Sequence, residues 1–131
     1  MTTNKKNIIL IIRIIIAVIL IQTLRFKFTA HPDSVYIFTE AGLEPYGRIG
    51  IGVLELIAGI LLLIPKTIWV GAITTIGLMF GAIFMHITKI GVIVNNDNGV
   101  LFITALLTLV LSTIVLYSYR SDIPFVENHK K

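Results

Sequence analysis

The sequence has no cysteine, only three histidines and few charged residues. Without cysteine, the chain cannot run a thiol–disulfide relay, supply a thiolate nucleophile or ligate an iron–sulfur cluster. Charged residues make up 14% of the 131 residues, against about a quarter in an ordinary soluble domain. The formal net charge is +4, but the basic residues are spread in ones and twos, so no basic run can follow a nucleic-acid backbone. We therefore expect no nucleic-acid partner.

Apolar residues, in contrast, are abundant: 56% of the chain is hydrophobic and the mean hydropathy is +0.93. A chain this short cannot bury so much apolar surface behind a polar exterior, so lipid is its natural solvent. A membrane-spanning helix needs about 20 apolar residues. We predict one all-α transmembrane domain over residues 1–131, an integral membrane four-helix bundle with spans at about 7–25, 48–64, 68–88 and 100–119.

The segment between the first two spans predicts an additional short helix in the first outer loop. Pro32, Asp33 and Ser34 are typical of a helix start, and the helix should end before Gly42. Such a helix would lie on the rim of the bundle as a lid.

Four spans place both termini on the same side of the membrane, and the positive-inside rule indicates which side. Six basic residues fall on the side of the termini and four on the other; they are Lys5, Lys6, Lys66, Arg120, Lys130 and Lys131 against Arg25, Lys27, Arg48 and Lys89. This favours cytoplasmic termini. The first apolar run is followed by no small-residue cleavage pattern, so we expect it to be retained rather than removed as a signal peptide.

Two charged residues, Arg13 and Glu55, fall inside spans, where a charge costs about 2.5 to 3.5 kcal/mol on insertion scales. Glu55 shares a helix face with Arg48, Gly52 and Gly59, because the spacings between them are four, three and four residues. That face should look into the bundle, where the carboxylate meets a protein partner instead of acyl chains.

The first span repeats this pattern with Arg13, Ala17, Leu20, Leu24 and Lys27 on one face. One interpretation is that Arg13 reaches Glu55 and forms an ion pair that fixes the helix register. On the third span, Gly77 and Gly81 have the spacing of a close helix–helix contact. His86 lies where that span ends, near the membrane interface.

The order of these residues resembles the DoxX family of small four-helix membrane proteins. The resemblance rests on Arg13, the segment Gln22–Phe28, the Gly42–Pro45 turn, the segment Gly52–Leu56 and His86. It implies a bacterial cytoplasmic (inner) membrane and a respiratory or redox-stress context, in which relatives associate with quinol oxidation, thiosulfate:quinone electron transfer or soluble oxidoreductases. Because this chain has no cysteine and one membrane-located histidine, it cannot itself hold a bis-histidine haem.

The leading hypothesis is an accessory subunit of a quinone-linked redox system, with a membrane or soluble oxidoreductase as its partner. Its ligand site would bind a quinone-like or other amphiphilic molecule, with no covalent cofactor, no metal and no assigned catalytic residue. The candidate ligand-binding residues are Arg13, Lys27, Arg48, Glu55 and His86. Glu55 and His86 could exchange protons with ring oxygens, and the basic groups could receive a polar or anionic head group.

Two alternatives stay open. The charged interior could serve packing alone in a non-catalytic membrane assembly or partner-binding module, with the basic residues acting as interfacial anchors. A small-molecule transporter is a weaker interpretation, because the sequence has no inverted repeat or broken helix. A homo-oligomer is compatible with each of these hypotheses.

Overall fold

The computed structural model of the protein describes residues 2–93 and 99–122, and every regular element there is helical. The five α-helices are α1 Thr3–Phe28, α2 Pro32–Glu40, α3 Tyr46–Leu63, α4 Ile68–Met85 and α5 Val100–Ser118. A 3-10 turn, Pro65–Thr67, precedes α4, and a π-helical turn, His86–Ile90, extends it. Four segments are long and apolar enough to cross a membrane, namely Thr3–Phe28, Tyr46–Leu63, Pro65–Ile90 and Val100–Ser118.

The helix ends follow from local sequence chemistry. The Thr2 side chain accepts a hydrogen bond from the Lys5 backbone N–H at 3.1 Å and starts α1. Proline at position 65 cannot continue the hydrogen-bond ladder, so α3 ends just before it. Gly99, with φ of 80°, takes a left-handed conformation before α5 begins.

The four long helices form a ring in which α1 neighbours α3, α3 neighbours α4, α4 neighbours α5, and α5 returns to α1. Each neighbour in the ring runs antiparallel to the last, as in an up-down-up-down bundle. We call the end where α1 stops and α3 starts the α2 end, and the opposite end the termini end. The α3–α4 hairpin is tight, because a side chain at Gly71 would come within 2.8 Å of the Leu62 backbone nitrogen.

The distribution of apolar side chains is that of a membrane protein. The core contains fully buried apolar side chains of both sizes, such as Leu62 and Ala72. Many other large apolar side chains point outward, and Val18, Phe84 and Ile103 are 60%, 64% and 58% exposed. Such a surface suits acyl chains and would be unfavourable in water. The protein is therefore an integral membrane four-helix bundle, as the sequence predicts.

The short helix α2 is also confirmed, and it lies across the α2 end of the bundle. Its N-cap is His31, whose Nδ1 accepts a hydrogen bond from the Asp33 backbone N–H at 3.1 Å. On its inner face Ile37 and Phe38 are buried and pack with Ile90 of the π-helical turn. The helix thus covers the space enclosed by the four spans at this end.

Candidate functional site

An ion pair between Lys27 and Glu55 joins α1 to α3 inside the bundle. The Lys27 ammonium lies 3.0 Å from Glu55 Oε1, and the two side chains are only 11% and 5% exposed. The Thr23 hydroxyl, one turn before Lys27, is 3.1 Å from the same oxygen and 2.7 Å from the Leu20 carbonyl oxygen, so it shares its proton between them. Since Glu55 is the tenth of the eighteen residues of α3, the carboxylate lies near the middle of a span.

Both polar stripes that the sequence predicts face inward. On α1 the stripe from Arg13 to Lys27 is buried at each of its five positions. On α3, Arg48, Gly52, Glu55 and Gly59 are all buried. Helical periodicity was enough to assign these faces, because a charged stripe cannot be left against acyl chains.

The predicted ion pair between Arg13 and Glu55 is wrong. Arg13 instead donates from Nε to the Leu62 carbonyl oxygen at 2.7 Å, while Glu55 is held by Lys27. Leu62 lies in the last turn of α3, where carbonyl groups lack a partner within the helix and the helix dipole attracts a cation. Arg13 therefore caps α3 at the termini end of the bundle, away from the carboxylate.

Arg48 caps the other helix of the pair, α1, in the same way. Its Nη1 donates to the Lys27 carbonyl oxygen in the last turn of α1, so each of these two helices carries an arginine that caps the other. Its Nε lies 3.0 and 3.1 Å from the two carboxylate oxygens of Glu44, and its Nη2 lies 3.0 Å from one of them. The charge of Arg48 is thus neutralised by an acidic residue one turn earlier.

His86 is buried where α4 passes into the π-helical turn. Its Nδ1 lies 2.9 Å from the Gly91 carbonyl oxygen, which can only accept, so Nδ1 carries the proton. Nε2 is then an acceptor in the neutral imidazole. The ring packs edge-on against Phe102 of α5, with 5.4 Å between ring centroids.

A cavity of about 480 Å³ occupies the half of the bundle near the α2 end. Its wall is mostly apolar and is supplied by all five helices, with Phe26, Phe38 and Leu101 among the contributors. Lys27, Glu55 and His86 form part of the same wall. The polar groups of the interior are therefore presented to a hydrophobic chamber.

The cavity is open to the outside of the bundle, because Gln22, Gly77, Gly81 and Phe84 line it and are also exposed. The close helix contact predicted at Gly77 and Gly81 is not formed in the described chain, since a side chain at either would meet no atom within 4 Å. The two glycines instead leave space at the mouth of the cavity.

Three of the five candidate residues thus meet at the cavity, namely Lys27, Glu55 and His86, whereas Arg13 and Arg48 do not line it. The sequence reasoning missed Thr23 and Glu44, which hydrogen-bond to these polar groups. Each stands four residues before a basic residue on its helix or at its start, a spacing that could have identified both. Within residues 2–93 and 99–122, no three His, Asp or Glu side chains are close enough to hold a metal ion.

Fold and site together define a small polytopic membrane protein with a lipid-facing surface and a polar cluster at an internal cavity. The sequence model of the DoxX family matches residues 8–87, which is more than half of the chain. The protein belongs to the DoxX family. The match includes α1 from residue 8 onward, all of α2, α3 and α4, and the cavity residues Lys27, Glu55 and His86. No curated protein and no solved structure matches the chain at a significant level.

Proposed function

We propose that this DoxX-family protein is an accessory subunit of a quinone-linked redox system and that its cavity binds a quinone-like or other amphiphilic ligand. The observation that carries the proposal is the placing of Lys27, Glu55 and His86 on the wall of one largely apolar cavity. Ligand sites typically combine an apolar lining with a few polar groups that fix the orientation of the ligand.

The size and opening of the cavity agree with this type of ligand. Its volume of about 480 Å³ lies within the range of roughly 300 to 1,000 Å³ usual for small-molecule sites. The exposed lining residues Gly77, Gly81 and Phe84 belong to a membrane-spanning segment. An apolar tail could therefore leave the cavity toward the acyl chains while the head group stays inside.

The polar residues also suit the oxygens of a quinone. The Lys27 ammonium can donate to a ring oxygen, and Glu55 and His86 can each take up or release a proton beside it. A bound quinone would supply two-electron redox chemistry, and a chain without cysteine has no thiol or iron–sulfur group to hold those electrons. We propose that a membrane or soluble oxidoreductase partner exchanges electrons with the ligand.

We also propose that the protein lies in a bacterial inner membrane with cytoplasmic termini. The termini end has six basic residues and the opposite end has four. Two of the six, Lys130 and Lys131, lie outside the described residues. In this orientation the cavity occupies the outer half of the bilayer. A reporter enzyme fused to either terminus should be active only in the cytoplasm, and activity on the other side would contradict the orientation.

Ligand binding can be tested by extracting the purified protein and measuring co-purified quinone, with native mass spectrometry in mild detergent as the second readout. Wild-type protein should retain ligand. Gly81→Leu should lose it, because the new side chain enters the cavity mouth, whereas Gly50→Leu should not, because Gly50 is equally unhindered and does not line the cavity.

A second variant tests the polar wall. Glu55→Gln should lose the ligand when the amount bound is measured per folded protein, because this variant also destabilises the bundle, and Glu40→Gln on the exposed side of α2 serves as its control. Ligand retained by both Gly81→Leu and Glu55→Gln would show that the cavity is not the binding site.

A non-catalytic assembly module is the second candidate function, and one observation favours it. Glu55 is already neutralised by Lys27, so the pair could simply fix the packing of α1 against α3. In that case no ligand would be found in wild-type protein, and replacing both charged residues together would leave partner recruitment unchanged.

A further inference from the structure

We infer that the cavity selects an uncharged head group bearing a hydroxyl, and that it rejects anionic head groups such as phosphate or carboxylate. This inference rests on the proposed function, since it names the chemistry of the ligand that the same cavity would bind. It is carried by the charge balance and by the free hydrogen-bonding atoms of the Lys27–Glu55 pair.

The charge balance at the cavity is zero. Among the described residues that line it, Lys27 and Glu55 are the only two with a formal charge, and their charged atoms lie 3.0 Å apart. The neighbouring Arg48 is paired with Glu44 outside the lining. Four basic residues of the sequence belong to the α2 end of the bundle. The cavity itself nevertheless offers an anion no unbalanced cation.

An anionic head group would therefore lose its hydration and gain little in return. Contact with Lys27 brings it equally close to the Glu55 carboxylate, so attraction and repulsion largely cancel. Burying a charge without a net counter-ion is costly in a low-dielectric site. An uncharged polar group avoids that cost.

The free atoms of the pair indicate a group that both donates and accepts. Both described contacts of the Glu55 carboxylate, from Lys27 and Thr23, are made through Oε1. This leaves Oε2 without a donor among the described residues. The Lys27 ammonium has three N–H groups, and its described ion pair accounts for one of them. A hydroxyl can accept from Lys27 and donate to Glu55 Oε2 at the same time.

The inference can be tested with two matched photoreactive probes: a long-chain alcohol carrying a diazirine, and the phosphate monoester of the same alcohol. Wild-type protein in nanodiscs would be irradiated with each probe, and labelled peptides from the cavity wall quantified by mass spectrometry. We expect the alcohol to label the wall about tenfold more than the phosphate, because burying the phosphate charge without a net counter-ion is costly.

Equal or stronger labelling by the phosphate would overturn the inference while leaving the cavity as a ligand site. Absence of wall labelling by both probes would remove the proposed function as well. The two failures are therefore distinguishable, and this comparison requires no variant.

Neutralising one partner of the ion pair at a time provides an independent readout. In Glu55→Gln, Lys27 becomes an unbalanced cation, so the ratio of phosphate to alcohol labelling should rise; in Lys27→Gln it should fall. The exposed Glu40→Gln control should leave the ratio unchanged. If the pair served packing alone, both probes would change together, and a constant ratio in the two cavity variants would contradict the inference.

Discussion

The Lys27–Glu55 ion pair gives the sharpest prediction about stability. Removing either partner should be strongly destabilising, because each single change leaves the other charge buried and unbalanced inside the bundle. The side chains are 11% and 5% exposed, and breaking a pair at such burial costs about 3 to 5 kcal/mol. The double variant Lys27→Gln/Glu55→Gln carries no buried charge at these positions and should recover about half or more of the loss.

The measurement is a double-mutant cycle on the free energy of unfolding, obtained by steric trapping or by reversible denaturation in mixed micelles. The four proteins of the cycle are wild type, Lys27→Gln, Glu55→Gln and the double variant. Because each single loss is about 3 to 5 kcal/mol and the double variant recovers half or more of it, the expected coupling energy between the two residues is at least about 3 kcal/mol.

A matched second cycle uses Arg13→Gln in place of Lys27→Gln. Arg13 is bonded to the Leu62 carbonyl oxygen and lies fourteen residues, or roughly 21 Å, from Lys27 along α1. Its loss should add to that of Glu55→Gln with a coupling below about 0.5 kcal/mol. A large coupling in this cycle together with none in the first would refute the assignment of partners.

Two further predictions concern the packing of α3 against its neighbours. Gly71→Ala should lower the melting temperature, because the added Cβ would lie 2.8 Å from the Leu62 backbone nitrogen. Gly77→Ala should leave the melting temperature unchanged, because its added Cβ would have no neighbouring atom within 4 Å. Equal melting temperatures of the two variants would argue against the tight hairpin. Arg48→Lys should also be destabilising, since a lysine cannot hold both oxygens of Glu44 and reach the end of α1 at once; a melting temperature equal to that of wild type would contradict this role.

The number of spans and the inward faces could be predicted because they depend on local properties. Hydropathy over about 20 residues defines a span, and the helical repeat places Glu55 on the same face as Arg48 and Gly52. Proline and glycine positions then define the helix ends. The short helix α2 followed from the proline and aspartate at its start, without knowledge of what it covers.

The pairing of the charges could not be derived in this way. Helical periodicity gives the face of a residue but not which of several partners a long side chain selects. By rise along antiparallel helices, Arg13 and Lys27 lie about equally far above and below Glu55. The choice depended on a third group, the Leu62 carbonyl oxygen, whose availability appears only once α1 and α3 are packed.

The same reasoning explains why the cavity was not visible in the sequence. Glycines four residues apart are compatible with close packing and with an empty space, and only the divergence of neighbouring helices decides between them. A Cβ added at Gly71 would lie 2.8 Å from the Leu62 backbone nitrogen of α3, whereas a Cβ added at Gly77 or Gly81 would have no neighbouring atom within 4 Å. The glycine pattern alone therefore predicts a helix surface made of small residues, but not whether a neighbouring helix or an empty space lies against it.

The three buried basic side chains make different contacts, and these contacts link the fold to the site. Arg13 caps the end of α3 and Arg48 caps the end of α1, so the two arginines fasten the antiparallel pair at both ends. Because Arg48 binds the backbone carbonyl of Lys27, it also fixes the start of the lysine side chain that meets Glu55. The arginines are thus occupied by backbone and by Glu44, and the titratable groups of the cavity wall are the balanced pair and one histidine. A wall of this composition can orient an uncharged head group through hydrogen bonds without attracting an anionic one.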